Sequence, residues 1–367
     1  MGLNIAFFGS SLVSAYWNGA ATYYRGILRA LHARGHRVVF YEPDAYSRQE
    51  HRDIADPDYA EVVVYPGVGN DGVSAALERA RDADLVVKAS GVGVFDELLE
   101  SAVLELRRPS QAIVFWDVDA PATLERVHGN AEDPFRRAIP AFDLIFTYGG
   151  GPPVIESYTQ LGARSCVPIY NALDPSTHHP EAAEARFAGD LGFLGNRLPD
   201  REARVDHFFF DVARKLPEQT FVLGGSGWDD KAKPANVRYV GHVYTHQHNA
   251  FNASVGAALN ISRDSMAKVG FSPATRVFEA AGAGACILSD AWEGIDQFLE
   301  PNREILVASN TDEVAAHLSR LTPAMRRQIG EAARQRVLNQ HTYTQRAVEV
   351  ERALGVSQRP ASMELAS

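Results

Sequence analysis

Cysteine is nearly missing from this chain, with two thiols, Cys166 and Cys286, in 367 residues. Both sit among apolar neighbours and far apart in sequence. That excludes a disulfide framework and reads as two buried, reduced thiols of a cytoplasmic protein. Positive charge is also short: 36 Lys and Arg stand against 46 Asp and Glu, a formal net charge of −10, with no long basic run to offset it. Phosphate backbones and anionic membranes would be repelled at long range, so nucleic acid is excluded as a partner. No apolar run is long enough to span a bilayer. The opening "MGLNIAFFGSSLVSA" has the apolar run of a signal peptide but no Lys or Arg ahead of it, and reads instead as a first strand. No repeat of solenoid period is present.

Core material, by contrast, is ample. Hydrophobic residues make up 46% and charged residues 22%, and 367 residues exceed what one hydrophobic core usually serves, so two domains are expected. Short β-branched or aromatic runs alternate with amphipathic stretches along the first half: "NIAFFG" (4–9), "HRVVFYE" (36–42), "DLVVKAS" (84–90), "QAIVFWD" (111–117), "DLIFTY" (143–148) and "RSCVPIY" (164–170). Between the first two lies "ATYYRGILRALHARG", with Tyr24, Ile27, Leu28 and Leu31 at helical spacing. Strand, crossover helix, strand means a parallel sheet, and near-continuous apolar strands mean helices on both faces. From 171 to about 184, "NALDPSTHHPEAAE" has the polar, proline-interrupted character of a linker. The alternation then restarts at "DLGFLGN" (190–196), "TFVLGGSG" (220–227), "VRYVGHV" (237–243), "GAALNIS" (256–262), "CILSD" (286–290) and "EILVAS" (304–309). The reading is an α/β chain of two tandem doubly wound, Rossmann-like domains facing a cleft. The first occupies residues 1–172 and the second 186–340, with a closing helix over 341–356 and a mobile tail over 357–367.

Ligands of open parallel sheets bind outside the carboxyl ends of the strands, so the loops there decide function. In "GFSPATRVFEAAGAGACILSD" (270–290), Ser272 can cap a helix that Pro273 begins and Gly284 ends. That helix start would attract phosphate through its free N–H groups and dipole. Arg276 and Glu279 share one face a turn apart, the cation suited to phosphate and the carboxylate to a sugar diol. The alternative is a solvated ion pair, which the run of small residues Ala280 to Ala283 speaks against.

The stretch "RVFEAAGAGACILSD" followed by "GIDQFLEPNREILVASNTDEVAAHL" resembles the C-terminal half of retaining glycosyltransferases of GT-B fold, of the group 1 or family 4 type and most of all the CgeB-like branch. "GILRALHARGHRVVFYEPD", "DLGFLGNRLPDREARV" and "FVLGGSGW…NVRYVGHV" extend the likeness over residues 3–350 in matching order. The resemblance implies a nucleotide diphosphate-sugar donor, an unidentified acceptor, no cofactor and no metal. It implies that Glu279 holds the donor ribose as the second glutamate of a Glu-x7-Glu motif. Phe271 stands where the first glutamate belongs, leaving Lys268 or Asp264 as substitutes. Arg201 and Arg197 fall where relatives offer basic residues to the diphosphate, with a solvated helix start as the alternative. Gly224, Gly225 and Gly227 fall where backbone approaches the nucleotide, and Gly241 to Val243, including His242, flank the base. Ser272 and Thr275 belong to the same donor set. Across the cleft, Gly9, Ser10, Asn18 and Gly19 follow the first strand, where tight turns are the plain alternative.

Asp117-x-Asp119 imitates a metal-binding DxD, but two tandem domains point to Asp119 as a cleft-facing group near the acceptor, or as a helix N-cap before Pro121. Catalysis is thus assigned to Asp119, Arg201 and Arg276. His242, His246 and His248, like His178 and His179, read as solvated loop residues without partners at ligand spacing. "GGGPP" (149–153) lacks the Lys and Ser or Thr of a phosphate loop. Tyr24 reads as core, and Tyr16 and Trp17 as either core or acceptor groove. Two other functions fit the same fold, an epimerase acting on a nucleotide sugar and a non-catalytic nucleotide-sugar binder.

Overall fold

The computed structural model describes residues 2–16 and 18–356. Seven strands form the first sheet: β1 (Asn4–Phe8), β2 (Arg37–Asp44), β3 (Glu61–Pro66), β4 (Leu85–Ala89), β5 (Ala112–Asp117), β6 (Leu144–Thr147) and β7 (Cys166–Pro168). Their spatial order is β3-β2-β1-β4-β5-β6-β7, parallel throughout. The second sheet comprises β8 (Gly189–Leu194), β9 (Phe221–Gly224), β10 (Val237–Tyr239), β11 (Val255–Asn260), β12 (Ile287–Asp290) and β13 (Leu306–Ala308). It runs β10-β9-β8-β11-β12-β13, again parallel. Both sheets reverse strand order beside their first strand, so each has a switch point where a crevice opens at the carboxyl ends.

Twelve of these strands coincide with runs read from the sequence. The thirteenth, β3, is an edge strand whose residues are mostly exposed or half-buried. Its "EVVVYP" carries the valine signal but ends on Pro66, which a central strand would not tolerate.

Each sheet is sandwiched between two apolar clusters. On one side of the first sheet, Phe7, Tyr24, Phe40 and Trp116 pack together, and on the other Phe8, Tyr41, Phe115 and Phe135. Tyr24 is fully buried, whereas Tyr16 is exposed and stacks on His51 at 4.1 Å. Trp17 and the tail at 357–367 lie outside the described residues. Cys166 and Cys286 are both buried free thiols, and burial pushes each up to about 12.

The two closing helices, Pro323–Gln340 and Tyr343–Ala353, belong to different lobes. Val337 and Ala333 of the first lie in the second lobe's core. Thr342 and Gln345 then form a reciprocal capping box that restarts the helix. Tyr343, Ala347 and Val350 enter the first lobe's core, and Glu351 grips Arg34 at 2.6 Å. Gly26 makes room for the Tyr343 ring, which a Cβ there would meet at 2.2 Å. The chain therefore crosses between lobes twice, and the crossings run together: Leu173 N donates to His341 O and Tyr343 N to Leu173 O. Among the described residues no helix is long and apolar enough to cross a membrane.

Candidate functional site

The lobes touch through the carboxyl ends of their strands. Asp119 follows β5, and its Oδ2 accepts from Arg263 Nη1, after β11, at 3.0 Å. Arg263 also reaches Asp200 at 3.0 Å. Gly150 N donates to Phe271 O at 2.9 Å, and Asn171 binds both Pro273 O and the Thr275 hydroxyl. Asp119 occupies the cap position of the Ala120–Gly129 helix, but its side chain caps nothing. One of its oxygens faces the opposite lobe, and the other, Oδ1, is buried with no hydrogen-bond partner.

At the centre of the second lobe's crevice, two arginines converge on the loop after β8. A Cβ on Gly195 would lie 2.9 Å from Nη2 of Arg201 and 2.9 Å from Nη2 of Arg276. Both guanidinium groups occupy the space a side chain at this position would fill, so a larger residue would push them out of place. Their partners are neutral: Arg276 donates to Leu194 O at 2.6 Å and to the Asn260 amide oxygen at 3.3 Å, and Arg201 to Asn196 O. Both lie over the Phe193 ring at 5.4 Å. Arg201 is 8% exposed and its Nε has no partner. Burial, then the neighbouring Arg276 and Arg263, push its guanidinium down to about 9. Burial lowers Arg276 as well, against the pull of Glu279 and Asp290. The nearby buried Asp290 is already held by Arg204 at 2.6 Å. Two desolvated cations without a bonded carboxylate favour an anion between them, and a diphosphate offers the right charge.

Arg197 differs. It is clamped by Glu202 at 2.7 and 2.8 Å and by Asp230 at 2.9 Å, so its charge is already met, contrary to the phosphate contact expected of it.

The helix after Phe271 also departs from expectation. It spans Thr275–Gly282, with Ala274 rather than Ser272 in the cap position. The Ser272 hydroxyl donates instead to Gly270 O at 2.8 Å. Gly284, at φ +77°, ends the helix as expected. The small residues have a structural cause, since a Cβ on Gly282 would strike the Leu173 side chain at 2.4 Å and His178 O at 2.9 Å. The linker lies on this helix, so the close approach is made by the chain itself and not by a ligand.

Phe271 is buried, with φ +47°, in a region that β-carbons disfavour. Its ring fills the space beside Gly294 and its Cβ the space beside Gly151, so the place of an expected carboxylate is packing between lobes. Lys268 and Asp264 form an exposed pair at 2.6 Å and do not replace it.

Gly225, at φ +122°, presses against Gly195 O, where a Cβ would come within 2.3 Å. Gly224 is closed in by Leu194 and Val243. His242 is exposed beside Ser226 at 3.2 Å. In the first lobe, a Cβ on Gly9 would meet the Phe40 ring at 2.5 Å, Ser10 donates to Asn18 at 2.9 Å, and Gly19 faces open space.

The histidines correct the sequence reading most. His242 and His246 are solvated, but His178 is 2% exposed and meets His248 and Glu279 in space. Glu279 lies 3.7 Å from His178 Nε2 and 4.0 Å from His248 Nδ1. Separations of 70 and 31 residues hid the cluster. One surface hollow, of about 510 Å³, is lined by Tyr170, Phe298 and His341 near the crossing between lobes, and another lies over β1 and β2.

Comparison with known proteins agrees with this architecture. Residues 201–352 match a family model described as glycosyl transferase-like. No curated protein sequence matches. Among solved structures, the fold is similar to sucrose-phosphate synthase from Thermosynechococcus elongatus, with a TM-score of 0.67 and 12% identity over 95% of this chain and 98% of that one. It is similar to Anabaena HepE in complex with UDP-glucose, at 0.66 and 12% over 97% and 100%. It is also similar to an alpha-glucosyltransferase solved with UDP-glucose and DNA containing an abasic site, at 0.70 and 12% over 97% and 100%. The chain has the two-lobed GT-B fold.

Proposed function

We propose that this protein is a glycosyltransferase that moves a sugar from a nucleoside diphosphate donor to an acceptor, with retention at the anomeric carbon and without a metal in the transfer step. The observation that carries the reading is the Arg201–Arg276 pair over Gly195, buried without a bonded carboxylate beside the start of the Thr275–Gly282 helix. When the glycosidic C–O bond breaks, negative charge grows on the departing diphosphate. Two guanidinium groups already desolvated stabilise it without reorganising. Glu279 accepts from the ribose hydroxyls in this reading, and Gly224, Gly225 and His242 flank the nucleoside. Asp119, at the seam between the lobes with Oδ1 buried and unpartnered, is the group nearest the acceptor.

In the same reading, residues 1–172 with the 341–356 segment carry the acceptor side and residues 186–340 the donor side. The order of motifs makes the CgeB-like branch the subtype, and the chain works in the cytoplasm. The DNA in one similar structure belongs to that protein. The net charge of −10 here favours a glycan, small molecule or protein acceptor.

A panel of UDP, GDP, TDP and ADP sugars tests this directly, by slow release of nucleoside diphosphate from donor alone. UDP-glucose comes first, because structures with this fold hold it. If no donor releases nucleotide and none raises Tm, the reading is lost. Phe271 in place of a glutamate favours a second reading, a binder, which shows a Tm rise without turnover. An epimerase would change the sugar and release nothing.

A further inference from the structure

His178, His248 and Glu279 bring three hydrogen-bond acceptors together with no donor among them. The ligand atoms all lie within 4.8 Å of one another. His248 Nε2 lies 3.3 Å from Val243 O, a carbonyl that can only accept, so the proton sits on Nε2 and leaves Nδ1 bare toward Glu279. The Thr177 hydroxyl lies 3.2 Å from Asp174 O and 2.9 Å from His178 Nδ1; with its hydrogen on the carbonyl, Nδ1 carries the ring proton and His178 Nε2 is likewise bare toward Glu279. Both bare nitrogens are buried without a partner. Two lone pairs and a carboxylate repel one another, and a single water has only two hydrogens for three acceptors.

We propose that His178, His248 and Glu279 bind a divalent transition-metal ion of the zinc class. Two imidazoles and one carboxylate suit zinc, cobalt or nickel, whereas calcium and magnesium prefer oxygen alone. The outer partners match as well, since metal-bound imidazoles commonly donate their other N–H to a carbonyl or hydroxyl. Around a tetrahedral ion the ligand atoms stand roughly 3.3 Å apart; here they lie within 4.8 Å, with Oε1 of Glu279 3.7 Å from His178 and Oε2 4.0 Å from His248, so the three side chains draw together on binding. The ion would join the linker, through His178, to the helix bearing Glu279. It would also occupy the carboxylate that the transfer reading assigns to ribose, making the metal an antagonist of the donor. The metal site does not depend on that reading.

The test uses the tag-free full-length chain, stripped with a chelator and titrated with Co2+ alone. Wild type is expected to take up one equivalent, with visible d–d absorption, two paramagnetically shifted imidazole resonances and displacement by Zn2+. His178→Asn with His248→Gln is expected to lose the absorption, and Glu279→Gln to weaken binding at least tenfold. His248→Gln alone keeps an N–H for Val243 and serves if the double variant does not fold. Arg201→Met is expected to keep Co2+ binding whatever it does to nucleotide binding, which separates failure of this proposal from failure of the transfer reading. Less than one equivalent on wild type, or equal binding by the His248→Gln protein, overturns the site.

Discussion

The two lobes share a strand order, yet they treat the polar groups at their strand ends in opposite ways. In the first lobe most buried charges there are met internally, Arg48 being the exception, with only Ser10 O and Val92 O as partners and a bare Nε. Glu42 takes hydrogen bonds from Ser11, Leu12 and Gln49. Asp117 takes them from Ser90, Thr123 and Tyr158, and Lys88 is held by Asp96. In the second lobe Arg201 and Arg276 are given only neutral partners. A satisfied network rigidifies a fold, whereas buried cations left without anions cost stability and await a ligand. What sets the second lobe apart is that two such cations meet at one point, over Gly195, where Arg48 stands alone.

The strongest blow to that contrast is Arg276→Ala. Losing one of two groups that stabilise the departing diphosphate is expected to cut turnover by roughly 10² to 10³-fold. Arg201→Met sharpens the point by its sign. It removes a buried cation while keeping apolar volume, so Tm is expected to hold or rise while donor affinity falls. A variant that loses stability and keeps its affinity would make Arg201 a structural residue.

Asp119→Asn probes the facing lobe. Arg263 keeps an acceptor, but the free oxygen loses its charge, and kcat is expected to drop by about 10²-fold with the donor KM nearly unchanged. A rise in donor KM alone would make Asp119 only a latch between lobes.

Glu279→Gln is smaller again, near tenfold in donor affinity, because one charged hydrogen-bond acceptor becomes a neutral one. Equal donor affinity in both proteins removes ribose from the account of Glu279.

Much of this architecture was legible in the sequence because parallel strands covered on both faces are written as uninterrupted apolar runs. Leu85 to Ala89 and Phe221 to Leu223 are buried at every position. The helix carrying Arg276 was legible through Gly284 and the small residues, but its start was misplaced. A serine before a proline satisfies the local rule, and the tertiary contact of Asn171 with Pro273 and Thr275 decides the first turn instead. The histidine cluster was out of reach, since its three members lie on the linker and on two helices that only the folded chain brings together. Arg201 and Arg197 illustrate the remaining limit. Four residues apart in sequence, they differ in burial and in whether carboxylates have found them.

That difference gives the smallest and most discriminating expectation. Arg197→Ala removes a positive charge four residues before Arg201, so a cleft that attracts its ligand by general positive potential would lose affinity in both variants. If the local balance decides, Arg197 contributes almost nothing, because Glu202 and Asp230 already neutralise it. Solvent screens pairs of this kind strongly, so donor affinity is expected to change less than about threefold. Stability should fall slightly, as Glu202 retains only Lys231 at 2.9 Å. Donor titrations of the two variants at one ionic strength compare them directly. A matching loss in both would replace the paired-arginine site with a diffuse field over the whole lobe.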